Sequence, residues 1–182
     1  MQPRRVLIVG ATKILRPAVT ELLRDGSKVM GFARTKSDLD TLKAQSGSGF
    51  DFVAVDYTDV AALASVARTL PKIDAALIYA PGASVESSLI FRDLVDGPVV
   101  EILGSSAARE NPDLPFTADQ IIPTGNQPWI TLVLGWTVDK KWHSAEQISQ
   151  RAIEVLKSEV NGTLGALRPW TDRPIQCATP PG

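Results

Sequence analysis

Arg5-Val6-Leu7-Ile8-Val9-Gly10 is a short apolar run closed by a glycine, and Ala11-Thr12-Lys13-Ile14-Leu15-Arg16-Pro17 follows it directly. The run predicts a buried strand over Arg5–Val9, and the glycine predicts a tight turn. Beyond the turn, Val19, Leu22 and Leu23 share one helical face, which predicts a helix over 14–25 stopped by Gly26. Pro17 is tolerated only in a first helical turn, so this helix is expected to begin near Lys13 or Ile14. A strand that feeds a helix through a glycine turn is a phosphate-binding corner. The unpaired N–H groups and the dipole of the helix start together favour an anion there.

The same alternation continues outward. Apolar runs predict strands over Lys28–Ala33, 52–55, 75–79, Val99–Leu103, Trp129–Leu134 and 165–167. They are near-continuously apolar, as strands covered on both faces are. Helical spacing falls over 37–44, 59–70, 85–94 and Ala145–Ser158. The last has the best start signal, since Ser144 with Gln147 makes a capping box. The expected fold is therefore α/β: a Rossmann-type doubly wound parallel sheet in three layers, α/β/α. A single domain is expected over residues 1–170, with a Pro-rich, flexible tail over 171–182. Residues 104–127, with Pro112, Pro115 and Pro123, break the alternation and are expected to be a long loop.

Composition narrows the function classes. The 182 residues carry 19 basic and 20 acidic side chains and a formal charge of −1, without the basic stripe of a nucleic-acid binder. No apolar run approaches the ~20 residues of a membrane helix, and no leader pattern precedes the first strand. The sole cysteine, Cys177, has no internal disulfide partner, which points to a reducing cytoplasm. One His, one Cys and no H-E-x-x-H spacing give no metal site. The expected partner is a small-molecule substrate.

Gly10-Ala11-Thr12 resembles the opening of the short-chain dehydrogenase/reductase superfamily, particularly its atypical branch, whose turn reads Gly-Ala-Thr-Gly-x-x-Gly. Lys13 and Arg16 stand where the next two glycines belong. Two readings stay open: the cations meet phosphates directly, or the phosphate site has decayed and both are solvated. The resemblance makes Gly10, Thr12, Lys13, Ile14 and Arg16 the expected pyrophosphate contacts. After the second strand, Arg34-Thr35-Lys36 replaces the acidic residue that marks NAD, and two cations with a hydroxyl suit a 2′-phosphate. NADP(H) is thus favoured over NAD(H). Asp56-Tyr57 resembles the superfamily's Asp-hydrophobic pair at the adenine, and Tyr79-Ala80-Pro81-Gly82 its Asn-Asn-Ala-Gly. Ala80, Pro81 and Gly82 are expected along the nicotinamide ribose.

The catalytic pattern is where the resemblance fails. Ser106, in Gly104-Ser105-Ser106-Ala107-Ala108, matches the serine that holds the substrate oxygen, but the chain contains no Tyr-x-x-x-Lys. Tyr79, ending a strand, and His143, beside the capping Ser144, are the remaining acid–base candidates, each equally readable as a packed or exposed side chain. Trp136 and Trp142 are readable as pocket walls or as core. Three functions follow from the resemblance. One is an atypical reductase acting on an activated C=N or C=O group, where cofactor and orientation carry much of the chemistry. The others are a non-redox cyclase or isomerase, and a catalytically silent nucleotide-binding partner protein. The superfamily's usual dimer helix has no counterpart, so a homo-oligomer would need another surface.

Overall fold

In the computed structural model, which describes residues 4–108 and 129–174, Arg5–Val9 forms strand β1 in the interior of a seven-stranded sheet. Helix α1 (Arg16–Arg24), β2 (Lys28–Ala33), α2 (Lys36–Ser46), β3 (Phe50–Ala54), α3 (Val60–Ala67), β4 (Ala75–Ile78), α4 (Val85–Asp93) and β5 (Val99–Leu103) follow. Then come β6 (Trp129–Leu134), α5 (Ala145–Ser158) and β7 (Gly162–Leu164). The strand order is β3-β2-β1-β4-β5-β6-β7 and every neighbouring pair is parallel. The expected doubly wound α/β fold is therefore present.

Alternate residues of the strands feed two cores. Val6, Ile8, Val100, Ile102, Ile130 and Leu132 pack against Val19 and Leu22 of α1, Leu39 and Leu42 of α2, and Ile148, Ala152 and Leu156 of α5. Leu7, Val9, Ala76, Ile78 and Val99 pack on the other face, against Leu63 of α3 and Phe91 of α4. Val6 to Val9 are all fully buried, and each such side chain contributes roughly 1.5–3 kcal/mol. On the second face Glu101 of β5 is half-buried and accepts a hydrogen bond from Trp129 Nε1 at 2.8 Å. Burial pushes its pKa up against that hydrogen bond. Its register partner Thr131 buries a hydroxyl that has no hydrogen-bond partner among the described residues.

Several boundaries differ from the sequence reading, each for a local reason. Helix α1 begins at Arg16, not near Lys13 or Ile14, because Pro17 has no N–H to close a turn onto the Lys13 carbonyl. That carbonyl accepts from the Arg16 amide instead, and the helical ladder starts with Val19 to Leu15 at 3.2 Å. Strand β3 begins two residues early because it is an edge strand. Exposed Asp51 interrupts the apolar run and pairs with Lys43 at 2.8 Å. Strand β7 is 162–164, not 165–167. Gly165 takes φ +81° and turns the chain, and Ala166 bridges antiparallel to Trp136. Helix α3 ends at Ala67, where tighter turns carry the chain through Leu70. The Ser144–Gln147 capping box of α5 is present with both hydrogen bonds. Of the long loop expected over 104–127, residues from 109 onward lie outside the described residues, as does Cys177.

Candidate cofactor and substrate site

The strand order reverses between β1 and β4, and in open α/β sheets ligands bind in the crevice at the carboxyl ends of such strands. Backbone bonds continue past the strand ends here: Gly10 N–H donates to Phe32 O at 3.0 Å and Tyr79 N–H to Val9 O at 3.1 Å. Gly10 has φ +88°, and a β-carbon on it would lie 3.0 Å from the Tyr79 carbonyl oxygen and 3.7 Å from the ring. Only glycine lets the β1 turn and the Tyr79 strand end approach this closely.

The turn itself is wound on the Gly10 carbonyl, which accepts from the Lys13 and Leu15 amides, both at 3.4 Å. Buried Ser149 of α5 donates to the Ile14 carbonyl at 3.2 Å and ties the turn to that helix. The amides of Ala11, Thr12 and Ile14 donate to no partner among the described residues. Lys13 is exposed and has no ion pair among the described residues. Arg16 donates through Nη2 to Gln45 Oε1 of α2. The α1 N-cap, Leu15, offers no side-chain cap.

At the ends of β2 and β3, the Arg34 guanidinium lies over the Tyr57 ring, 5.9 Å from its centroid. Asp56 accepts from the Thr58 amide at 3.0 Å and hydroxyl at 2.7 Å. These bonds, and more weakly the Arg34 charge, hold its carboxyl below the usual range. Tyr57 is buried; its hydroxyl makes a long 3.5 Å contact to the Pro81 carbonyl, and its own carbonyl accepts from Ser87 at 2.6 Å. Burial pushes the Tyr57 phenol up, partly opposed by Arg34. Thr35 is the exposed N-cap of α2, and Lys36 pairs with Asp40 at 2.8 Å. Gly10, Arg34, Asp56, Tyr57, Tyr79 and Pro81 are thus brought to one edge. Ala80 is half-buried, and Pro81 and Gly82 are exposed.

The acid–base candidates separate. Tyr79 follows β4, and burial, with a smaller contribution from nearby Tyr57, raises its phenol pKa. It therefore holds its proton through neutral pH. Ser106 stands exposed in the single turn Ser105–Ala108 after β5. Its neighbour Ser105, which sequence reasoning passed over, is buried and accepts from Arg173 Nε at 3.0 Å. His143 lies further along the edge, against Gly165 at the end of β7. Both its ring nitrogens are buried without a hydrogen-bond partner among the described residues, at a cost of roughly 1–3 kcal/mol per group. Around it, Trp136 is buried and meets Trp170 edge to face at 6.0 Å. Trp142 bridges to Trp136 through the backbone and is partly exposed. Residues 171–174, the start of the expected tail, pack here: Asp172 pairs with Lys140 at 2.8 Å. Nothing in the local sequence marks Arg173, two of whose partners, Ser105 and Trp142, are far away along the chain. No group of residues suited to a metal ion occurs among the described residues, and no helix there is long and apolar enough to cross a membrane.

No protein-family model and no curated protein matches the chain. Solved structures do. A short-chain dehydrogenase from Streptomyces avermitilis matches at TM-score 0.67 and 14% identity, covering 91% of this chain and 89% of that one. An oxidoreductase of the short chain dehydrogenase/reductase family from Burkholderia thailandensis matches at TM-score 0.65 and 15% identity, covering 91% of each. The 3-ketoacyl-(acyl-carrier-protein) reductase from Brucella melitensis, complexed with NADH, matches at TM-score 0.64 and 13% identity, covering 90% and 96%. With Lys13 and Arg16 at two of the three glycine positions of its turn, the chain has the fold of these short-chain dehydrogenase/reductase structures.

Proposed function

We propose that the crevice between β1 and β4 binds a nicotinamide dinucleotide, NADP(H) in preference to NAD(H). We further propose that the protein reduces an activated C=N or C=O group of a small molecule. One observation carries the reading: Gly10, Arg34, Asp56, Tyr57 and the segment from Tyr79 to Gly82 come from four separate strand ends and converge on one edge. In this reading Asp56 accepts from the adenine amino group and Arg34, which has no ion pair among the described residues, takes the 2′-phosphate. Lys13 and the amides of Ala11, Thr12 and Ile14 face the pyrophosphate in place of the missing glycines. The bound nicotinamide supplies the hydride. Ser106 and Tyr79 end adjacent strands, which lie about 4.8 Å apart, and both offer a hydroxyl to the substrate heteroatom.

The test is a titration with NADPH and NADH followed by thermal shift. NADPH should bind, and Arg34→Ala should weaken it roughly ten- to hundred-fold, the loss of one charge-assisted phosphate contact, while changing NADH little. Equal weakening of both removes the 2′-phosphate assignment; binding of neither removes the cofactor. A second reading has its own observation. Pro17 at the second position of α1 withdraws an amide from the helix start, and the chain has no Tyr-x-x-x-Lys. Both suit a non-redox enzyme or a silent nucleotide-binding protein on the same scaffold, and binding without turnover would select it.

A further inference from the structure

Arg173 is held in an unusual place for a charged side chain. Its guanidinium lies 5.2 Å from the Trp142 ring centroid and 5.3 Å from that of Trp170. Its Nε donates to the buried Ser105 at 3.0 Å. It has no carboxylate partner among the described residues, and its neighbour Asp172 is taken by Lys140. The two indoles and the serine engage the guanidinium, and neither terminal nitrogen donates to a partner among the described residues. Ser105 adjoins β5, whose carboxyl end is one strand beyond β4. The guanidinium therefore sits at the far end of the proposed cofactor crevice, about two strand spacings from the switch point. His143 adds a second polar group in the same cluster whose ring nitrogens lack a partner.

We propose that Arg173 is the binding site for a carboxylate, and that it anchors the carboxylate of a substrate whose reacting carbon lies toward Ser106 and Tyr79. A carboxylate is planar and meets a guanidinium through two parallel hydrogen bonds, which fits a guanidinium whose two terminal nitrogens have no partner among the described residues. A single guanidinium matches a monoanion, whereas a phosphate dianion would keep an uncompensated charge beside apolar indoles. The carboxylate site stands on the Arg173 geometry alone. Its role as the anchor of a reducible oxo or imino acid rests on the hydride-transfer reading above.

The experiment uses the full chain without nucleotide and titrates acetate, pyruvate and inorganic phosphate, following the indole N–H signals by 15N NMR. Acetate and pyruvate should shift the Trp142 and Trp170 signals saturably and leave Trp129 in place. Arg173→Gln should weaken this binding at least tenfold. Arg173→Lys keeps a cation over the indoles but loses the fork and should weaken it several-fold, and it carries the comparison if Arg173→Gln does not fold. No saturable shift up to tens of millimolar, or equal binding by the variants, overturns the site. Tighter binding of phosphate than of either carboxylate overturns the ligand class. NADPH titrated separately should bind wild type and Arg173→Lys alike, so failure of the cofactor and failure of the carboxylate site are read independently.

Discussion

At residue 10, an alanine would place its methyl group 3.0 Å from the Tyr79 carbonyl oxygen while holding φ at +88°, where side chains are strained. Gly10→Ala should therefore cost roughly 1–3 kcal/mol of stability, read by urea denaturation. An unchanged midpoint would mean that the turn relaxes freely. Glu101 makes a prediction in pH. Its pKa is raised from 4.5 on folding, so the folded state holds its proton more tightly than the unfolded one. That contribution is fully present below about pH 4.5 and is lost as pH climbs through the raised folded value. Glu101→Gln keeps an acceptor for Trp129 and should be at least as stable as wild type at pH 7, the difference vanishing near pH 4. A variant less stable than wild type at pH 7 would contradict this. Gly10 was legible because strand, glycine and helix are contiguous. Arg173 was not, because besides nearby Trp170 its contacts are Ser105, 68 residues away, and Trp142, which only the fold brings to it. Ser106 was read by its position in Gly-Ser-Ser-Ala-Ala, and that its neighbour Ser105 is the buried one is set by the fold.

Among the elements, α5 is the one whose limits were fully written in its sequence, because its capping box and its apolar stripe agree. Ser144→Ala should lower stability by about 1 kcal/mol, with Ser144→Asp nearly neutral, measured by thermal or chemical unfolding. Helix α1 shows the opposite case. Its apolar face was legible, yet its start depends on a missing proline N–H and on the Ser149 hydroxyl contributed by α5. Ser149→Ala should cost about 1 kcal/mol and speed amide exchange through the Gly10–Leu15 turn more than elsewhere. Uniform exchange would deny α5 any part in holding that turn. Strands β1, β2, β5 and β6 matched their apolar runs because both faces are covered, whereas β3 and β7 lie at the sheet edges. There one face meets solvent, polar residues enter the run, and continuity stops marking the limits.

For the molecule as a whole, residues 171–174 close the sheet end rather than simply trailing from it. Ending the chain after Trp170 would remove the Asp172–Lys140 pair and the Arg173 contacts. A chain of this size should then melt roughly 2–8 °C lower, corresponding to about 1–2 kcal/mol. An unchanged Tm would show that the anchor carries no stability. The doubly wound order was legible from the alternation of runs. The shape of the crevice was not, since it depends on how four strand ends are brought side by side. The order also has a consequence during synthesis. β1 leaves the ribosome first, yet it is an interior strand, and its second neighbour, β4, is encoded some seventy residues later. While translation covers that distance, the nascent chain can pair β1 with β2 and β2 with β3 but leaves the other flank of β1 bare. That flank presents the unpaired backbone N–H and C=O groups of Val6–Val9 and is open to any extended peptide it meets. Yield in a cell should therefore respond to how fast codons 30–75 are read, even where the finished protein's stability is unchanged.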